Sequence, residues 1–213
     1  MNQPCPNRPN CDGCPLFDLP ESEAQSAKIE AIAEVLRSYE WPLKSPKAIT
    51  VGKRSLGYRN RARMVVKSGK LGFYKKGTRD FIQIDVCPVH TTRLEEVLDR
   101  FRDASLLQGA EFLDVRVNRS GQAIATVCGQ ELDLKAWESD AVISLHSNLG
   151  GREGVILSGK QEVVDGSKAL RMSVGGKSFE VEPQAFFQVN PEVQELLESK
   201  LRRHLSEMDT VVD

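Results

Sequence analysis

Four cysteines constrain this chain more than any other feature, because three of them lie in a segment with no helix or strand pattern. Cys5, Cys11 and Cys14 follow the spacing Cys-x5-Cys-x2-Cys, and Cys87 stands far downstream, directly before a proline. Five prolines within the first twenty residues exclude a regular helix or strand there. We expect a bound group, and not a hydrophobic core, to order this cysteine loop (residues 1–20).

Metal or cluster ligation explains these thiols better than disulfides do. The chain has five cysteines, an odd number, and its first residues lack the basic and apolar segments of a signal peptide. Four thiolates can hold a [4Fe–4S] cluster, with three from one loop and the fourth from elsewhere in the fold. A four-cysteine zinc site usually takes its ligands from two short pairs, and this sequence has one. The spacing favours the cluster and leaves zinc as the alternative.

Length and composition indicate an ordinary globular protein. With 213 residues, 40% of them hydrophobic, the chain can bury a sizeable core. No apolar run approaches the roughly 20 residues of a membrane span. We expect a cytoplasmic monomer that does not associate with membranes.

Hydrophobic periodicity predicts an α+β fold, in which an antiparallel sheet has flanking helices. Cys128 ends one apolar run and is expected to be a buried small hydrophobic residue, and the three histidines are expected to have surface or structural roles. The predicted helices cover 22–39, start again at Thr91 or Thr92, and start a third time after Asn190 with Pro191 in the first turn. The predicted strands are 62–66, 71–74, 81–84, 112–117, 123–128, 142–145, 154–157, 170–174 and 179–181.

The net charge of −1 conceals one strongly basic stretch. Between positions 52 and 79 there are ten basic residues and no Asp or Glu. Because side chains alternate along a strand, Arg59, Arg61 and Arg63 should share one face. Three guanidiniums beside the aromatic Tyr58 and Phe73 suit the phosphates and unstacked bases of a folded RNA. The alternative is a solvated sheet face.

Three motifs in the same order resemble the bacterial 23S rRNA 5-methyluridine methyltransferases. They are Cys-x5-Cys-x2-Cys with the distant Cys-Pro, then Gly-Tyr-Arg-x-Arg-Ala-Arg at 57–63, then Phe-Phe-Gln-Val-Asn at 186–190. The resemblance is collinear over essentially the whole chain. It implies a [4Fe–4S] cluster on Cys5, Cys11, Cys14 and Cys87. It also implies S-adenosylmethionine as methyl donor and RNA, 23S rRNA in particular, as substrate.

The resemblance also implies roles for single residues. Gln188 would contact S-adenosylmethionine, Phe186 would stand close to the target base, and Tyr58 and Phe73 are further candidates for stacking on bases. The family activates the uracil by adding a cysteine thiolate to its C6, and a base later removes the C5 proton. Without the resemblance, the segment at 186–190 would be interpreted as a strand with Phe186 or Phe187 in the core.

The resemblance divides the chain into three parts. Residues 1–20 would be the cluster-binding loop, 21–186 an RNA-handling domain, and 187–213 a junction helix with the start of a methyltransferase domain. A strand is predicted to begin at 210–213, and the family's Rossmann-like domain, with its catalytic cysteine and base, is expected after residue 213. We therefore expect this chain alone to be inactive. The alternatives are a non-catalytic iron–sulfur RNA-binding module, a transfer RNA enzyme of the same family, or a small electron carrier.

Overall fold

A computed structural model describes residues 5–8, 10–39, 52–150 and 156–206 of the chain. Within these ranges it contains three α-helices, one short 3-10 helix and nine strands. The helices are α1 (Glu21–Ser38), α2 (Thr92–Arg100) and α3 (Pro191–Leu205), and the 3-10 helix is Ala104–Leu107. The strands are β1 (Arg61–Lys67), β2 (Lys70–Tyr74), β3 (Phe81–Gln83), β4 (Ala110–Val117), β5 (Ala123–Gly129), β6 (Ile143–Leu149), β7 (Lys160–Asp165), β8 (Leu170–Val174) and β9 (Lys177–Val181).

Seven strands form one sheet, and the other two form a separate hairpin. The order in the large sheet is β3-β2-β1-β4-β5-β6-β7, and β8 pairs with β9. All neighbours run antiparallel except β5 and β6, which pair in parallel, with Ala123 opposite Ile143. The antiparallel prediction therefore needs correction at this pair. The long connection between β5 and β6 makes it possible, because parallel neighbours need a crossover and not a tight turn.

The main core lies between the sheet and α2. Leu94, Val97 and Leu98 of α2 are buried against the inward side chains of the central strands. Each such side chain contributes roughly 1.5–3 kcal/mol to stability when fully buried. Phe101, directly after α2, stacks on Trp137 with ring centroids 5.7 Å apart. The β8–β9 hairpin contributes to a second, smaller core.

Most of the predicted elements are present, with shifts of one or two residues at most of their ends and of four at the end of β6. Thr91 caps α2 and Asn190 caps α3 through their side chains, as predicted. α1 begins after Pro20, with no side-chain cap, and not at Ser22. β7 was missed by sequence analysis. The strand predicted at 154–157 lies partly outside the described residues, and its last two residues, Ile156 and Leu157, form a turn.

One further prediction, the strand start at 210–213, lies outside the described residues. None of the described helices is long and apolar enough to cross a membrane. The turn between β1 and β2 has positive φ angles at Ser68 (52°) and Gly69 (71°), which is the backbone of a type I′ hairpin turn.

Candidate functional site

The cysteine loop is fastened to the sheet near the fourth cysteine. The Asn7 side chain donates a hydrogen bond of 2.8 Å to the carbonyl of Val86, the residue directly before that cysteine. The backbone N–H of Lys76, in the turn between β2 and β3, donates to Asp12 at 2.9 Å. These two contacts join the beginning of the chain to a part of the fold more than sixty residues away.

Cys14 lies within electrostatic reach of the other three thiols. Burial raises the pKa of Cys14, and the neighbouring charges of Cys11 and Cys5 raise it further. Burial raises the pKa of Cys87 to about 11, and Cys14, Glu95 and Cys5 add to that rise. The chain therefore brings its fourth cysteine to the three in the loop. We call Cys5, Cys11, Cys14 and Cys87 the cysteine group.

The cysteine group shows no formed metal-ion site in the part of the chain that the structure describes. Among the described residues, no three His, Cys, Asp or Glu side chains converge closely enough to hold one metal ion. A zinc ion needs four ligand atoms at about 2.0–2.3 Å. A four-iron cluster takes one thiolate on each of its iron atoms. The cluster and the zinc alternative both stay predictions for the cysteine group.

A hydrogen-bond network holds the backbone at Cys87. Glu95 of α2 accepts the Cys87 N–H at 3.0 Å and the ring N–H of His90 Nδ1 at 2.7 Å. Arg102 binds the other carboxylate oxygen at 3.2 Å. Burial alone would raise the pKa of Glu95, but the hydrogen bonds from His90 and Cys87 outweigh it and lower that pKa. His90 is buried and has a structural role, as expected of the histidines.

The residues directly before β1 connect the cysteine group to the third motif. We call residues 57–60 the β1 entrance. On one side, the Arg59 N–H donates to the carbonyl of Val89 at 2.8 Å, two residues after the fourth cysteine. Next along the chain, the Asn60 N–H donates to the carbonyl of Val189 at 3.0 Å. The three motifs that are distant in sequence therefore meet at one place.

Tyr58 and Arg59 stand at the edge of the cysteine group. Tyr58 is half-buried, and its pKa is raised by burial and then by the nearby charge of Cys14. Arg59 is exposed, and its charge lowers the pKa of both Cys14 and Tyr58. An exposed guanidinium and a half-buried aromatic ring are thus available next to the thiols.

Arg61 and Arg63 share one acidic partner, and only one of them faces solvent. Both bind Asp114 of β4, Arg61 at 3.0 Å and Arg63 at 2.6 Å. This contact confirms that the two arginines lie on one face of the strand. Arg61 is buried, whereas the Arg63 side chain is 46% exposed. The Arg61 guanidinium is enclosed by protein, and its contact with RNA stays a prediction.

The aromatic candidates also differ in exposure. Phe73 is half-buried and packs on the main core, so its ring is not free to stack on a base as predicted. Phe186 is 79% exposed. Phe187 packs against the second core, with its ring centroid 6.3 Å from that of Phe179. Gln188 is exposed, and the segment that carries it is irregular and not a strand.

Sequence reasoning missed the buried charges of β4. Asp114 and Arg116 both lie in a strand that is otherwise apolar from Leu113 to Val117. Burial, followed by the charge of Arg61, lowers the pKa of Arg116 to about 10, so it stays protonated at neutral pH. The alternation of charged with apolar residues in β4 was the available signal. It was interpreted only as a hairpin strand.

Comparisons with known proteins agree with the motifs. No protein-family model matches the chain. An uncharacterized RNA methyltransferase of Gloeobacter violaceus is 25% identical over 100% of this chain and 53% of its own length. Another, from a Nostoc species, is 27% identical over 95% of this chain and 51% of its own. A 23S rRNA (uracil(1939)-C(5))-methyltransferase of Pseudomonas fluorescens is 32% identical over 45% of this chain and 23% of its own.

The resemblance to the RNA methyltransferases is confirmed. The fold is shared with a solved structure, the tRNA (uracil-54, C5)-methyltransferase of Pyrococcus abyssi in complex with S-adenosyl-L-homocysteine. That match has a TM-score of 0.72 and 18% identity, and it covers 93% of this chain and 51% of the other. The chain spans about half the length of the RNA methyltransferases that it matches along its whole sequence.

Proposed function

We propose that this chain is the cluster-bearing, RNA-handling part of an S-adenosylmethionine-dependent RNA uracil-C5 methyltransferase that acts on 23S rRNA. The observation that carries the proposal is the meeting of the cysteine group, the β1 entrance and the segment around Gln188. In this proposal residues 1–20 bind the cluster, 21–186 handle RNA, and 187–213 begin the methyltransferase domain. The names of the relatives support the reaction class.

The cysteine group would hold a [4Fe–4S] cluster. Without a bound cation, the raised pKa values of Cys14 and Cys87 keep these thiols protonated at neutral pH. A cluster requires thiolates, so binding it would release protons, and ligation to iron would offset the repulsion between the thiolates. The cluster would fasten the cysteine loop beside the β1 entrance, and its role would be structural.

The exposed residues around the β1 entrance would bind the RNA. Arg59 and Arg63 would neutralise phosphates, and Tyr58 and Phe186 would stack on unpaired bases. Gln188 would contact S-adenosylmethionine, which supplies the methyl group. A uridine must leave its stack before C5 can be reached, so exposed aromatic rings such as Phe186 suit a target in a loop or single strand.

RNA binding across a salt series tests the RNA part of the proposal. We expect the oxygen-protected chain to bind a uridine-containing rRNA stem–loop with an affinity that falls steeply as salt rises. The double variant Arg59→Ala with Arg63→Ala should bind weakly and with a smaller salt slope. Lys135→Ala removes one exposed charge from the β5–β6 connection and serves as the control. Equal binding by the double variant and the control would refute the proposed RNA surface.

Two further results separate the alternatives. Competition between rRNA and tRNA transcripts decides the substrate, and preference for tRNA would favour the activity named for the Pyrococcus abyssi structure. Reading the gene beyond the codon for Asp213 tests the enzyme assignment. A glycine-rich loop followed by a cysteine would support it, whereas an immediate stop codon would leave a non-catalytic RNA-binding module.

A further inference from the structure

Two buried arginines donate to three backbone carbonyls at the start of the segment that carries Phe186 and Gln188. We call residues 182–189 the junction segment. Arg61 donates to the carbonyl of Pro183 at 2.8 Å and to that of Ala185 at 3.5 Å. Arg116 donates to Ala185 at 2.7 Å and to Glu182 at 3.4 Å. The planar guanidinium fork lets each side chain bind two carbonyls at once.

The other end of the junction segment is fixed as well. The carbonyl of Val189 accepts the N–H of Asn60, and the next residue, Asn190, caps α3 with its side chain at 3.1 Å. Between these two fixed ends, Phe187 packs inward, while Phe186 and Gln188 face outward. The segment therefore has few backbone degrees of freedom, although it belongs to no helix or strand.

The pair of buried arginines is energetically unfavourable by itself. This argues against a role in stability alone. Arg61 and Arg116 are directly opposite each other in the β1–β4 ladder, and like charges in that position repel. Both are buried, and burial of a charge is unfavourable unless it is paired. The Asp114 carboxylate accepts from Arg61, and the junction carbonyls are the further acceptors described for Arg61 and Arg116. A pair of apolar residues would fill the same space without these costs.

We propose that Arg116 and Arg61, the latter held in place by Asp114, are positioning residues that fix the junction segment so that Phe186 and Gln188 are presented to their ligands in one conformation. We call the hydrogen bonds from Arg61 and Arg116 to the junction carbonyls the clamp. The identity of the ligands rests on the proposed function, but the clamp does not. Because Arg63 shares Asp114 with Arg61, the clamp also lies next to the proposed RNA surface.

Hydrogen exchange of the junction amides tests the clamp without any ligand. We expect Arg116→Met to raise the exchange rate of the amides at 184–189 about tenfold, the equivalent of one hydrogen bond to a charged group. Arg63→Met is the matched control, because Arg63 binds the same Asp114 but donates to no junction carbonyl among the contacts described. Arg116→Lys keeps the charge but loses the fork, so it should give an intermediate rate even if Arg116→Met does not fold.

Photocrosslinking provides the second measurement. With a 4-thiouridine-containing RNA stem–loop, Arg116→Lys should lower crosslinking to the peptide that contains Phe186 several-fold, relative to the unaltered chain. Unchanged exchange in both Arg116 variants, or equal exchange in Arg63→Met and Arg116→Lys, would overturn the clamp. Absence of any crosslink in the unaltered chain would count against the proposed function instead, while the exchange result would still decide the clamp.

Discussion

Arg61 and Arg63 have the same residue type and the same acidic partner, but different surroundings. Arg61 is enclosed between Asp114 and the junction carbonyls, whereas nearly half of the Arg63 side chain is open to solvent. We predict that Arg61→Met lowers the free energy of unfolding by about 3–5 kcal/mol, because it leaves a buried carboxylate with one partner fewer. Urea unfolding measures this change.

Arg63→Met should instead act on RNA affinity. We predict a loss of about 1 kcal/mol in stability, smaller than for Arg61→Met because Arg63 is half-exposed and Asp114 keeps Arg61 as its partner, and a salt slope for RNA binding that is smaller by about 0.7. Fluorescence anisotropy across a salt series measures the slope. The opposite pattern, in which Arg63→Met unfolds the chain and Arg61→Met only weakens RNA binding, would show that the two roles are assigned wrongly.

His146 gives the fold a defined dependence on pH. It is fully buried in β6, where Nε2 donates to the Ser167 carbonyl at 2.8 Å and Nδ1 accepts from Gln161 at 2.9 Å. Burial lowers its pKa below the usual 6.5, against the opposing effects of the Ser167 hydrogen bond and the Glu182 charge. The unfolded chain therefore binds the proton more readily, and stability falls as the pH drops below about 6.5.

Urea midpoints at neutral pH and about one unit below the unfolded pKa of about 6.5 measure this effect. We predict that the unaltered chain loses stability over this interval and that His146→Gln, which cannot take up the proton, loses less. If both proteins show the same change in midpoint, His146 does not contribute to the pH dependence.

Among the elements of the fold, the β1–β2 turn holds a serine in a backbone conformation that is unfavourable for this residue type. Ser68 has a φ of 52°, which glycine and asparagine adopt more easily than serine. We predict that Ser68→Asn raises the free energy of unfolding by about 0.5–1 kcal/mol. Ser120→Asn, in the β4–β5 turn where the serine φ is not positive, is the control and should give no gain. A loss of stability in Ser68→Asn would contradict this account of the turn.

Helices and most strands could be predicted because their signals are local. Thr91 and Asn190 cap helices through bonds within three residues, alternation reveals β4, and a continuous run of small and apolar residues reveals β5. The parallel pairing of β5 with β6 depends on a crossover that no local pattern encodes. β7 escaped prediction because its side chains are mostly exposed and lack an apolar alternation.

In the whole molecule, the three motifs of the site could be predicted from the sequence. Their proximity in space could not. Cysteine spacing indicates the ligands, but Asn7 and Val86, 79 residues apart, bring the loop to Cys87. The burial of Arg61 depends on Asp114, 53 residues away, which supplies the acid that the basic stretch lacks. Contacts of this kind follow from the tertiary fold, and the arginine pattern alone could not separate a clamp from a phosphate contact.

The proposed function requires that four thiols from two distant parts of the chain bind one iron–sulfur cluster beside the β1 entrance. Iron and sulfide analysis of the chain purified without oxygen tests it most directly. We predict a brown protein with about four iron and four sulfide per chain, as a single [4Fe–4S] cluster requires. Cys87→Ser should lose most of this iron, whereas Cys128→Ser, at a buried thiol outside the cysteine group, should keep it. A colourless, iron-free chain, or one that binds a single zinc ion at these thiols, would contradict the account.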